Sequence, residues 1–281
     1  MSAVEFTAHN IRLDDGELTK PELQRDMSVA PRFLSAKRAL ALACPGDKSR
    51  YSILDLGCLE GGYSVEFARM GFRAVGLEVR ASSIAACRYV KSRVDLPNLS
   101  FVQDDAWNAE RHGPFDAVFC CGLLYHLDRP RTFIHMLSGV ARRVAIIQTH
   151  FATEKPTNKF NLSGMTEHDQ AAGRWYGEFA TVPDAVAKES SRWSSWDNTR
   201  SFWLTKAWIL QALNEGGFDM VFEQFDTLAP TIVDSMNTGY YQQVLEPLFY
   251  EALSTPVDQR PEQWRDRPRI PFLNGGLFER L

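Results

Sequence analysis

A short apolar run that delivers an acid into a glycine-punctuated turn does most to restrict how this chain can fold. Ile53-Leu54-Asp55-Leu56-Gly57-Cys58-Leu59-Glu60-Gly61-Gly62 passes from strand-like residues into a turn, and a helical pattern follows at once with Tyr63, Phe67 and Met70 on one face. Gly76-Leu77-Glu78 closes a second apolar run with another carboxylate, 21 residues beyond Gly57. A parallel α/β sheet sets an acid for ribose hydroxyls at the end of its second strand, so the pair points to a nucleoside site.

The alternation continues along the chain. Strands are expected at about 51–56, 73–78, 99–102, 115–121 and 144–148. Helices are expected at 31–43, where Pro31 suits a first turn, at 62–70, from Ser82 to before Pro97, and from Pro130. The nearly unbroken apolar run Phe115–Cys121 fits a strand covered on both faces. Such alternation implies an α/β fold, a doubly wound, Rossmann-like, mainly parallel sheet. The rhythm breaks over 150–203, and five of the seven tryptophans lie between Trp175 and Trp208. This stretch reads as an aromatic-rich insertion over the ligand edge of the sheet. A helix at about 205–215, a strand at about 218–225, a helix around 240–253 and a Pro- and Arg-rich tail complete the expectation. The chain thus divides into an N-terminal arm and helix (1–48), a ligand-binding core (49–150), a substrate or lid insertion (151–203) and the end of the core with a C-terminal tail (204–281).

Composition narrows the function classes. With 44% hydrophobic and 23% charged residues over 281 positions, the chain can bury an ordinary globular core. A net charge of −4 gives no general pull toward nucleic acid. The five cysteines form no CxxC and have no histidine at zinc-ligand spacing, which fits reduced thiols and no metal. No basic-then-apolar leader and no run near the ~20 apolar residues of a membrane span is present, so a cytoplasmic protein without a membrane partner is expected.

The turn itself discriminates between ligands. A diphosphate loop reads G-x-G-x-x-G, whereas here Leu59 takes the second glycine position and Glu60 adds a negative charge beside it. That suits a cofactor with a nucleoside and an amino-acid end but no phosphate, and Asp55 is placed to hold the loop or accept from an ammonium group. A nicotinamide-dependent oxidoreductase is disfavoured on the same residues.

On these residues the chain resembles the class I S-adenosylmethionine-dependent methyltransferases over about 50–150, with a weaker match at 203–226. The resemblance implies S-adenosyl-L-methionine as cofactor. Asp55, Gly57 and Gly61 match the first motif, whose loop, with Cys58 and Leu59, wraps the methionine part. Leu59 departs from the Gly or Ala common there. Glu78, with Val79 beside it, matches the acid that takes both ribose hydroxyls. Phe101-Val102-Gln103-Asp104-Asp105-Ala106 matches the segment whose acid receives the adenine amino group, Asp105 ahead of Asp104, with Ala106 adjacent and Trp107 over the adenine face. The strand ending at Cys121-Gly122, followed by Leu123-Leu124-Tyr125-His126-Leu127, matches the motif that borders the sulfonium.

Methyl transfer from a sulfonium asks mainly for proximity and alignment, plus a group to take the acceptor's proton. His126 and Tyr125, just past the fourth strand, and His150, past the fifth, are the candidates. Arg174, Trp175, Tyr176, Trp193, Trp196 and Arg200 are the candidates for walling an acceptor pocket; the alternative is that these aromatics form the insertion's own core. The first reading is a methyltransferase acting on an oxygen or nitrogen of a small-molecule acceptor. A second follows from Gly122–His126 and Phe202–Trp208, which look like enzymes that alkylate the wobble uridine of tRNA with a carboxylated relative of S-adenosylmethionine. A third is a noncatalytic, methyltransferase-like binding subunit. The oligomeric state is left open, a homodimer included.

Overall fold

Why the chain opens a crevice where it does follows from its strand order. In the computed structural model, β1 (Ser52–Leu56), β2 (Arg73–Glu78), β3 (Leu99–Gln103), β4 (Phe115–Cys121) and β5 (Ala141–Gln148) pair in parallel in the order β3-β2-β1-β4-β5. The order reverses between β1 and β4, so the connections after β1 and β4 leave in opposite directions and part at the carboxyl edge. The structure describes residues 4–218 except 24 and 154–159, together with the backbone of three short strands, β9 (Val221–Glu223), β10 (Phe272–Leu273) and β11 (Gly276–Phe278). These extend the sheet beyond β5: β10 lies parallel to β5, and β11 runs antiparallel to both β10 and β9. The helix expected around 240–253 and most of the tail lie outside the described residues.

Alternation along the central strands divides two cores. Ile53, Phe119 and Ile146 face α1 (Pro31–Ala43) and α2 (Gly62–Arg69), where Leu40 and Phe67 are fully buried. Leu54, Leu56, Val118 and Ile147 face the other way, onto Phe133 and Leu137 of α4 (Pro130–Val140) and Leu213 of α6 (Lys206–Glu215). The period of two in a strand delivers both faces from one run of apolar residues. α3 (Ala81–Ser92) buries Ile84, Cys87 and Val90.

The insertion has a sheet of its own. β6 (Thr166–His168), β7 (Ala171–Gly177) and β8 (Arg200–Leu204) are antiparallel, and a short helix, α5 (Ala185–Ser190), leads into a loop that returns to β8. Among the described residues no helix is long and apolar enough to cross a membrane, and no cluster of His, Cys, Asp or Glu could hold a metal ion.

The turn after β1 depends on glycine at a specific point. Gly61 caps α2 with φ +81°, and a Cβ there would lie 2.6 Å from the Phe101 ring. Backbone conformation and space both exclude a side chain, so Gly61→Ala should cost about 2–4 kcal/mol. Urea denaturation measures it; a variant as stable as the parent would show that the turn can relax.

Candidate functional site

Three carboxylates from the ends of three adjacent strands ring one cavity of ≈ 750 Å³. Glu78 ends β2 and is 3% exposed; its two oxygens accept from the backbone amides of Leu59 (3.1 Å) and Arg80 (2.9 Å). Asp55, in β1, accepts from the Ser64 hydroxyl at 2.7 Å. Asp105 caps the short 3₁₀ turn Ala106–Arg111 by accepting from Trp107 N at 2.9 Å. Burial raises all three carboxyls above their usual range, Asp55 to about 7, and their hydrogen bonds offset this only in part. Among the described residues, no cation lies within ion-pair distance of Asp55 or Asp105, and Glu78 has Arg80 at 3.9 Å. Such a cavity favours a ligand that brings hydroxyl and amino donors and disfavours a phosphate.

The other half of the cavity is cationic and aromatic. Arg32, from α1, projects into it beside Tyr63 and Cys121, and among the described residues no carboxylate pairs with it. His126 lines the cavity as well, with Nδ1 2.8 Å from Oε1 of Glu178, whose side chain is 1% exposed. Glu178 also accepts from the Ser201 hydroxyl and from Ser195 N at 3.1 Å, and Asn198 donates to the His126 carbonyl at 2.8 Å. The Tyr125 ring lies 4.4 Å from that of His126, and its hydroxyl would be 3.5 Å from a Cβ at Gly122.

Of the residues that the sequence marks for the cofactor, Asp55, Gly57, Leu59, Glu78, Val79, Asp105, Ala106, Trp107, Cys121 and Gly122 line the cavity. Cys58 and Gly61 do not: the Cys58 thiol is buried 4.0 Å from that of Cys87, and Gly61 packs on Phe101. Asp104 turns away, accepting from Asn108 Nδ2 and bonded to His112 Nε2, both at 2.7 Å. Glu60 also corrects its expected role. It is fully buried and faces the N-terminal arm, accepting from Thr7 Oγ1 (2.7 Å), Ala8 N (3.1 Å) and His9 N (2.8 Å). The disfavour toward phosphate comes from Asp55, Glu78 and Asp105 instead.

The acceptor candidates divide sharply. Trp193, 66% exposed, and Trp196 line the cavity with Tyr125 and His126. His150 does not; it stacks on Trp203 with ring centroids 4.8 Å apart. Tyr176 also stacks on Trp203, with ring centroids 5.1 Å apart. Trp175 packs on Phe202 at 5.0 Å under the Arg200 guanidinium, and Arg174 is buried, donating to the carbonyls of Thr153 and Ser163. These five residues hold the insertion together. Arg32, Arg80, Glu178 and Asn198 were missed; only nearness to Glu78 could have flagged Arg80, and nothing local in the sequence marks the rest.

The comparisons bear on the same region. A family profile described as a methyltransferase domain matches residues 53–145. The ubiquinone biosynthesis O-methyltransferase of Albidiferax ferrireducens is 26% identical over 92 residues, 32% of this chain and 36% of that protein. Its namesake from Pseudoalteromonas translucida is 28% identical over 111 residues, 39% of this chain and 46% of that protein. The chain therefore spans less than half the length of the curated relatives it matches. The crystal structure of the N-terminal domain of EvdMO1 with SAH bound superposes with a TM-score of 0.55 at 24% identity, over 72% of this chain and 76% of that one, a likeness of fold. Residues 53–145 therefore match a methyltransferase domain. The insertion follows that segment in sequence, and its residues 192–198 line the cavity at the carboxyl edge of the sheet.

The elevated Asp55 carboxyl has a consequence for stability. Between about pH 4 and 7 the folded protein holds a proton on Asp55 that the unfolded chain lacks, so this residue's contribution favours the fold at low pH and is lost as pH rises through about 7. Asp55→Asn removes that dependence. In urea denaturation of the ligand-free protein, the variant should gain about 2 kcal/mol relative to the parent between pH 5 and pH 8. A difference that does not move with pH would mean that Asp55 stays ionised in the fold.

Proposed function

We propose that the chain is an S-adenosylmethionine-dependent methyltransferase that passes a methyl group to an oxygen or nitrogen of a small-molecule acceptor, with His126 taking the acceptor's proton. The observation that carries this reading is the ring of three carboxylates poor in cation partners, Asp55 and Glu78 buried and Asp105 half-buried, set at the switch point of the sheet. Glu78 fits the ribose hydroxyls, and Asp105, Ala106 and Trp107 fit the adenine. Gly57, Leu59, Cys121 and Gly122 border the methionine part, with Asp55 for its ammonium group. Arg32, a guanidinium without a carboxylate partner among the described residues, fits the cofactor's carboxylate. The two relatives named as O-methyltransferases support oxygen as the acceptor atom.

When bound, the cofactor supplies a methyl carbon already activated on a positive sulfur. What remains for the protein is alignment and the proton. A neutral His126 that donates Nδ1–H to Glu178 leaves Nε2 bare to accept a proton, and the buried carboxylate then stabilises the imidazolium. Tyr125 and Trp193 border the space left for the acceptor.

Calorimetry with S-adenosylmethionine tests the foundation: the protein should bind it, and Glu78→Ala should weaken binding at least about tenfold. His126→Gln should leave cofactor affinity unchanged and slow transfer of labelled methyl to a panel of phenols, hydroxylated metabolites and amines by about 10²–10⁴-fold. No binding by the parent protein would sink the proposal, and an undiminished rate in His126→Gln would remove the role given to that histidine.

A further inference from the structure

Arg80, two residues past Glu78, spends its guanidinium on a single loop of the insertion. Its Nε donates to the Lys188 carbonyl at 3.0 Å, and its Nη2 reaches the carbonyls of Ser191 (3.1 Å), Ser194 (2.8 Å) and Ser195 (3.2 Å). The Trp196 ring centroid lies 5.5 Å from the Arg80 guanidinium carbon. From the loop's side, the Glu189 carboxylate accepts from the amides of Ala81 (2.9 Å) and Ser82 (3.0 Å), free donors at the first turn of α3. Arg192 reaches across the mouth toward Glu60 at 3.7 Å and Glu5 at 3.6 Å, where the N-terminal arm lies. Residues 192–198 line the cavity together with Glu78, Val79, Asp105 and Trp107.

We infer that segment 188–198 is a lid over the adenosine end of the cofactor site and that Arg80 is the positioning residue that latches it shut. The inference rests on the cofactor reading above. The last turn of α5 and the loop that runs from it to β8 leave carbonyls without helix or ladder partners, and one planar guanidinium supplies donors to them from the sheet side. Removing it strands the carbonyls of Lys188, Ser194 and Ser195 at once (Ser191 keeps its bond from Ser194 N at 3.1 Å), and they regain partners by turning to water, which opens the segment. The same cation sits 3.9 Å from Glu78. The acid that takes the ribose and the loop that covers it therefore share one anchor, and a ligand can reach Glu78 past this segment only when the latch is released.

The test uses the full chain and S-adenosylhomocysteine as probe. Trypsin cleavage at Lys188 and Arg192, followed by mass spectrometry, reads lid opening, and stopped-flow tryptophan fluorescence reads probe dissociation. In the unaltered protein the probe should slow cleavage at these two sites at least about tenfold. Arg80→Ala should abolish most of that protection and speed probe dissociation at least about tenfold. Glu189→Ala, which cuts the opposite tether without touching the cavity, should speed cleavage in the same segment, and it decides the matter should Arg80→Ala not fold. Parental cleavage and dissociation in Arg80→Ala, or parental cleavage in Glu189→Ala, would overturn the lid and leave the cofactor reading standing. An unaltered protein that does not bind the probe would overturn both.

Discussion

Glu78 accepts from two amides that belong to different elements, Leu59 in the turn after β1 and Arg80 at the start of α3. One bond pins the turn against the neighbouring strand, and the other starts the helix that follows. The first has strain to hold: Leu59 sits at φ +51°, a left-handed conformation that costs a leucine about 1–2 kcal/mol. The Glu78 bond and the Cys87 thiol, which donates to the Leu59 carbonyl at 3.2 Å, keep it there. A glycine would adopt this turn without the cost, so leucine is tolerated because its surroundings over-determine the backbone. Glu78 also lines the cavity. Turn, helix and ligand edge thus converge on one buried acid.

Glu60 plays the matching part for the N-terminal arm. A fully buried carboxylate must be compensated, and it takes its hydrogen bonds from Thr7, Ala8 and His9. His9 in turn accepts from Gly62 N at 3.0 Å, which requires a neutral ring at Nδ1, and burial lowers its pKa to about 4. The arm is therefore stitched to the first turn of α2 by bonds that persist across the physiological pH range. This brings Ala8, His9 and Asn10 to the cavity wall.

Much of the central sheet was readable because its signals are local. Strands β2 and β4 begin and end where the apolar runs do, and Pro31 and Pro130 open α1 and α4 as their ring geometry allows. Glu78 and Asp105 were legible for a related reason: position at a strand end implies position at the ligand edge. Glu60 was misread because a side chain's direction within a turn is set by what packs against it, here a segment more than 50 positions earlier in the chain. Arg32, Arg80 and Glu178 were invisible because their roles arise from contacts between distant segments, and no spacing rule encodes them. The strands β10 and β11 join the sheet edge across a long stretch of chain, with too few residues to give a pattern.

The aromatic insertion shows why residue type alone misleads about function. Trp203 is buried between His150, Phe160 and Tyr176, yet its indole Nε1 donates to the Tyr125 carbonyl at 2.8 Å. A buried indole needs a partner for its N–H, and the one it finds fixes the turn that carries Tyr125 and His126. Phe202 N donates to the Leu127 carbonyl at 2.9 Å on the other side of the same turn. Glu178 then sets the ring of His126 from the end of β7. The stacked aromatics thus do not line the cavity themselves, but they back its wall at Tyr125, whose ring lies 4.2 Å from that of His150, and hold β7 and β8 as the back against which the histidine is aimed. The sheet supplies the acids of the site and the insertion orients its imidazole, so the catalytic geometry proposed for His126 depends on packing that lies one layer behind it.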